Sequence, residues 1–115
     1  MYNKGEEMEI YDYETYGGKN VIREYIDHLT QKEQLEIYDI REEIRKSGLD
    51  AFEKINTRQL RGKLWEIKVS QTRIMYVIID VERVAFLHIC KKQKGKAEKK
   101  EIETALKRAK SENLI

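Results

Sequence analysis

The stretch LWEIKVSQTRIMYVIIDVERVAFLHIC, residues 64–90, sets the fold class. In Leu64–Val69 the apolar Trp65, Ile67 and Val69 alternate with Glu66 and Lys68, the period-two pattern of a strand with one wet face. Ser70-Gln71 then makes a tight turn. Arg73–Asp80 is β-branched and aromatic, and apolar on both faces beyond Arg73, as a central strand must be. Asp80-Val81-Glu82 gives a second turn and Arg83–Cys90 a further strand. Connections this short make neighbouring strands antiparallel, so the stretch reads as a meander.

Working upstream, the pattern becomes helical. Thr30 and Glu33 have capping-box spacing and open a helix that runs to about Ser47 and stops at Gly48. Its apolar residues are Leu35, Ile37, Tyr38, Ile40 and Ile44. Before it, Asn20 caps a shorter helix whose stripe is Val21, Ile22, Tyr25, Ile26 and Leu29. Two amphipathic helices with almost no linker predict an antiparallel hairpin. Thr15–Lys19, with Gly17-Gly18, is a turn, and Met8–Tyr13 a first short strand. Downstream, Ala97 to about Asn113 forms a third helix with Ile102, Ala105, Leu106 and Ala109 at core spacing. The order β-α-α-β-β-β-α predicts an α+β fold: a twisted antiparallel sheet with helices mainly on one face. One domain spans residues 1–115, with a mobile start and end.

Charge is divided along the chain. Residues 1–55 hold 8 Lys/Arg against 14 Asp/Glu, net −6, whereas residues 56–115 hold 15 against 7, net +8. A concentrated positive half is the footprint of a polyanion binder. No run approaches the ~20 apolar residues of a membrane span. The start of the chain lacks an apolar signal core, which points to the cytoplasm and away from a membrane. The single Cys90 excludes an internal disulfide, and with only His28 and His88 there is no zinc-ligand spacing, so neither metal nor cofactor is expected.

The meander gathers basic residues. Arg61 and Lys63 precede one strand, Arg73 begins the next, and Lys91, Lys92 and Lys94 leave the last; Lys68 and Lys96 extend the set. Antiparallel pairing places Arg73 at the same sheet edge as Lys91 and Lys92. Taken singly, each is a solvated surface charge. Arg73 stands out because it interrupts an apolar strand, and its guanidinium suits bidentate contact with phosphate. His88 is either a half-buried strand histidine or a proton carrier beside the lysines. Glu66 reads as an exposed ion pair with Lys68 rather than a general base. Trp65 and Tyr76 read as core, Cys90 as an inert buried thiol and His28 as helix surface.

Four segments together carry a family resemblance. They are Leu60-Arg61-Gly62-Lys63-Leu64-Trp65-Glu66-Ile67-Lys68, Arg73-Ile74-Met75-Tyr76, Leu87-His88-Ile89-Cys90-Lys91-Lys92-Gln93-Lys94 and Glu101-Ile102-Glu103-Thr104-Ala105. In this order they resemble the RelE/ParE toxin superfamily, and within it the phage-derived HigB-like branch. The resemblance implies a compact RelE-like fold and a type II toxin that cleaves mRNA on the ribosome, silenced by a cognate antitoxin, often a helix-turn-helix protein. It implies catalytic roles for Arg73, Lys91 and Lys92, with His88, or a lysine of depressed pKa, moving protons. RNA contacts fall to Arg61, Lys63, Lys68, Lys94 and Lys96. The chain departs from the family pattern at Ile89-Cys90, where an aromatic is usual, and at Gly95-Lys96, where threonine-proline is usual. Two other functions suit the same scaffold: a ParE-like gyrase-inhibiting toxin, and a noncatalytic nucleic-acid-binding phage accessory protein.

Overall fold

A computed structural model describes residues 7–115. The elements are β1 (Glu9–Asp12), α1 (Val21–Asp27), α2 (Gln31–Ser47), a 3-10 segment (Gly48–Glu53), β2 (Thr57–Arg61), β3 (Leu64–Val69), β4 (Thr72–Asp80), β5 (Arg83–Lys91) and α3 (Gly95–Ser111). The α+β class and the meander β3-β4-β5 are as the sequence predicts. So are the starts of α1 and α2: the Asn20 side chain accepts from the Arg23 N–H, and Thr30 with Glu33 forms a complete capping box; α3 begins at Gly95 rather than Ala97. Gly48 closes α2 at φ 59, a conformation costly for a residue with a Cβ.

The sheet has five strands in the order β1-β5-β4-β3-β2 and is mixed rather than antiparallel throughout. β1 pairs parallel with β5, Glu9 opposite Arg83 and Asp12 opposite Phe86, because all the other elements up to β4 intervene between the two strands. β2 is absent from the sequence-based reading. Its Thr-Arg-Gln-Leu-Arg run is an edge strand with exposed positions on both sides, so it has no hydrophobic alternation to betray it. It joins β3 through Gly62, whose φ of 58 suits the tight turn.

The helices lie on both faces, not mainly on one. On one side Ile22 and Ile26 of α1, with Ile37 and Ile44 of α2, pack against Ile67, Ile74, Tyr76 and Phe86. On the other, Ala105 and Ala109 of α3 pack against Leu64, Met75, Val77, Leu87 and Cys90. Both faces of β4 and β5 are thus dry, which explains their continuous apolar runs. Leu35 and Tyr38, expected on the buried stripe of α2, are exposed, and the buried place between Ile37 and Ile44 goes to Arg41. The expected mobile start falls on residues outside those described. The end is ordered through Leu114, whose N–H donates to the Ala109 carbonyl and whose side chain packs beneath α3.

Arg41 secures the parallel edge. Its guanidinium donates to both carboxylate oxygens of Asp12, at 2.9 and 3.1 Å, and lies 5.4 Å over the Phe86 ring. Both side chains are almost wholly buried, at 5% and 8% exposure. Asn20 donates to the same carboxylate, so β1, the start of α1, and α2 meet at one charge. Removing one member of such a pair strands the other in a dry site. We expect Asp12→Ala to cost ~3–5 kcal/mol in urea unfolding, and an Asp12→Leu/Arg41→Met double substitution to recover most of it. Neutralising the exposed Arg45–Glu42 pair should cost under ~1 kcal/mol.

Candidate nucleic-acid cleft

The cluster forms at the end of the sheet where β3 and β4 turn and β5 leaves. Lys68 and Arg73 are directly paired across β3 and β4, and Arg73 lies opposite Cys90 of β5. One nitrogen of the Arg73 guanidinium donates to the Ser70 and Thr72 carbonyls, both at 3.0 Å, which fixes its stem over the turn. Lys92 is held by its own backbone N–H, which donates to the Gln71 carbonyl at 2.7 Å. Together with Arg58, Glu66, Lys94, Gly95 and Glu98, these residues line an open cleft of about 250 Å3. Five cationic side chains face two carboxylates there.

The anions in the cleft are already committed. Arg58 bridges them, with its Nε 2.9 Å from Glu66 and another nitrogen 2.6 Å from Glu98. The hydrogen bond to Glu98, more than any other influence, raises the Arg58 pKa further above its ordinary value. Lys68, Arg73, Lys92 and Lys94 form no ion pair among the described residues. Helix α3 also starts at this cleft. Lys94 occupies its N-cap without a capping side chain, leaving first-turn N–H groups available. Gly95 adopts φ 58, a left-handed conformation costly for a residue with a Cβ.

Not every predicted residue joins. Lys91 lies in register with Thr72 and borders a small adjoining recess that it shares with Arg73, Cys90, Glu66, Glu98 and Glu101. Lys96 is exposed in the first turn of α3, off the cleft lining. Arg61 and Lys63 sit at the opposite end of β3, and at ~3.3 Å per residue Lys63 is roughly 16 Å from Lys68. They cannot share one phosphate with Arg73. Lys63 instead borders a separate groove with Phe52, Trp65 and Tyr76. Trp65 is 37% exposed there rather than core. Two cleft residues, Arg58 and Glu98, carry no signal in the sequence, and a third, Glu66, is placed otherwise than expected. Arg58 sits on the unforeseen β2, Glu98 in the first turn of α3 where Arg58 reaches it, and Glu66 is 1% exposed rather than paired with Lys68 at the surface.

His88 is engaged by α3. In β5 the register shifts so that Tyr76 faces Phe86 while Met75 faces His88, and the extra residue turns both Leu87 and His88 toward α3. There Arg108 donates to His88 Nδ1 at 3.1 Å and to the Leu87 carbonyl at 3.0 Å. That donation places the imidazole proton on Nε2, which donates to Glu101 at 2.7 Å. Arg108 also stacks 4.7 Å over Tyr13. The imidazole therefore docks α3 onto the sheet. His88, Cys90 and Glu101 do bring three ligand types within 4.8 Å of one another. As arranged they suit a metal poorly, because Nε2 carries a proton and burial pushes the Cys90 thiol up to about 12.

Burial lowers the His88 pKa more than Glu101 raises it, with Arg108 adding to the lowering. The folded state thus binds its proton less readily than the unfolded chain. The docking contribution is complete above the ordinary imidazole pKa of ~6.5 and is lost as pH falls through the lower folded value. We expect unfolding free energy to decline from pH 7 to 5 more steeply for wild type than for His88→Gln, measured by urea titration at each pH.

Comparison with known proteins supplies a family. A search of curated proteins found no match. The model of the phage-derived Gp49-like proteins (DUF891) matches residues 24–110, from α1 through nearly all of α3, and so covers both the cleft and the His88 docking site. The chain belongs to the phage-derived Gp49-like family.

Proposed function

We propose that this protein is the toxin of a type II toxin–antitoxin pair, of the RelE/HigB type, and that it cleaves mRNA on translating ribosomes. The observation that carries the reading is the set of unpaired cations, Lys68, Arg73, Lys92 and Lys94, converging on one open cleft. Family membership is consistent with it. Uncompensated charges fixed in place are what a phosphodiester requires, and they cost no reorganisation when charge builds on phosphorus.

In this reading the 2′-hydroxyl attacks the adjacent phosphorus and the 5′-oxygen leaves, giving a 2′,3′-cyclic phosphate and a 5′-hydroxyl. Arg73 and Lys92, with Lys68 beside them, stabilise the pentacoordinate intermediate. Lys91 contributes charge from the neighbouring recess and Lys94 from the start of α3. Arg61, Lys63 and Lys96 contact RNA further along the strand. Holding the message in line on the ribosome supplies much of the rate. A cognate antitoxin silences the cleft with an acidic segment that meets the same cations.

The test is cell-free translation with mRNA ends mapped by primer extension. Wild type is expected to produce discrete cuts in translated message, and Arg73→Ala to lower the rate ~10²–10³-fold. Lys92→Ala should also weaken RNA binding and reduce its salt slope by ~1. Intact message during active translation overturns the reading. DNA double-strand breaks with intact message would point instead to a gyrase poison, and salt-sensitive binding without growth arrest to a noncatalytic binding protein.

A further inference from the structure

The groove bordered by Lys63 is separate from the cleft and has no part in the mechanism above. It encloses about 490 Å3 between the 3-10 segment, which supplies Phe52 and Glu53, and the sheet, which supplies Trp65, Tyr76 and Ile78. Phe52 and Tyr76 stack with ring centroids 5.0 Å apart, and Tyr76 is buried, so these two rings make the inner wall. Trp65, the cross-strand neighbour of Tyr76, and Ile78 are each 37% exposed and make the open part. A single exposed apolar side chain is ordinary on a protein surface. Here two adjoin in one groove, and the larger is an indole, a platform for a planar ligand.

The charges at the groove complete the picture. Lys63 is in its lining, and Arg61 lies just before it across the Gly62 turn. Neither forms an ion pair among the described residues. Glu53, exposed and also without an ion pair among the described residues, is the one carboxylate in the lining. An apolar protein segment seated here would cover Glu53 and Lys63 without using either. A nucleotide uses all three kinds of group: the base stacks on the aromatic ring, its edge donates to the carboxylate, and the phosphate beside it meets the cations.

We propose that this groove is a second RNA subsite, which takes one unpaired base of the strand engaged by the cleft, guanine in preference to the others. The proposal rests on the reading of the protein as an RNA-cleaving toxin. Trp65 is three residues from Lys68 along β3, roughly 10 Å, and on the opposite face of the sheet. A strand leaving the cleft therefore reaches the groove by rounding the β2 edge, past Arg61. Guanine is favoured by its Watson–Crick edge, where N1–H and the 2-amino group stand side by side and match the two oxygens of Glu53. Adenine, cytosine and uracil present no such pair of adjacent donors.

Trp65 is the single tryptophan of the chain, so its fluorescence reports occupancy of the groove in the wild-type protein. Titration with a short single-stranded RNA containing guanine should quench it, and the same sequence as a duplex should not. Replacing guanine by inosine, which lacks the 2-amino group, should weaken the quenching titration ~10-fold or more, and Glu53→Gln should remove that difference. By anisotropy of a labelled RNA, Trp65→Leu should bind roughly 5- to 150-fold more weakly, the loss of one stacked base. Binding seen by anisotropy with no quenching of Trp65 overturns the proposal while the cleft reading stands. Equal quenching by guanine and inosine strands overturns the base assignment, and quenching by the cognate antitoxin but not by RNA makes the groove a protein-docking site and overturns the whole proposal. Intact message in cell-free translation, with Trp65 quenching by RNA retained, overturns the endonuclease reading and leaves the groove in place.

Discussion

Helix α3 has to dry one whole face of a five-stranded sheet, and it is too narrow to do so. Ala105 and Ala109 bring it close over Met75, Val77, Leu87 and Cys90. Small residues there permit the approach, and the hydrogen bonds of His88 to Glu101 and Arg108 set its position along β5. What α3 leaves bare is the corner where β3 and β4 turn, and every cation of the cleft except Arg58, which reaches in from β2, lies at that corner or on the segment linking β5 to α3. The site therefore follows from incomplete coverage. The apolar part of the face is sealed, and the remainder is free to carry charge.

The protein treats its charges in two ways. Where a charge is fully buried and structural, it is matched: Arg41 meets Asp12 through two hydrogen bonds and gains an aromatic face besides. In the cleft the rule is reversed. Lys68 and Arg73 are direct cross-strand neighbours, an arrangement of like charges that costs a few tenths of a kcal/mol to about one. Arg58 absorbs the nearby carboxylates and leaves the other cations unneutralised. A repulsion retained at the one corner that α3 does not cover is relieved by a polyanion, which gives the arrangement a physical direction.

Much of this was legible in the sequence because local signals and global packing agree. The capping residues Asn20, Thr30 and Gly48 mark helix ends for reasons internal to a few residues, and the apolar runs of β4 and β5 can only be central strands. The convergence of Arg73 with Lys92 followed from antiparallel pairing alone. Other features depend on partners distant in the chain. The parallel pairing of β1 and the edge strand β2 are chosen by the sheet, since Thr57–Arg61 has no apolar face of its own. Arg61 and Lys63 fell outside the cleft because nearness in sequence to Lys68 runs along the strand, away from the turn.

Glu66 shows how the period-two rule can mislead. Alternation of Glu66 and Lys68 with Ile67 and Val69 reads as a strand with one wet face, which is correct only when that face is open. Here the face belongs to α3, and the two polar residues meet different surroundings along it. Lys68 lies toward the uncovered corner, whereas Glu66 lies one step inward, beside Met75 and beneath Arg58 and Glu98. The same alternation thus yields a half-exposed cation and a sealed carboxylate, separated by two residues. A sheet covered on both sides turns polar positions into buried ones wherever a helix crosses them. Such positions keep a charge only if something stabilises it. For Glu66 the guanidinium of Arg58, 2.9 Å from Oε2, stabilises the charge.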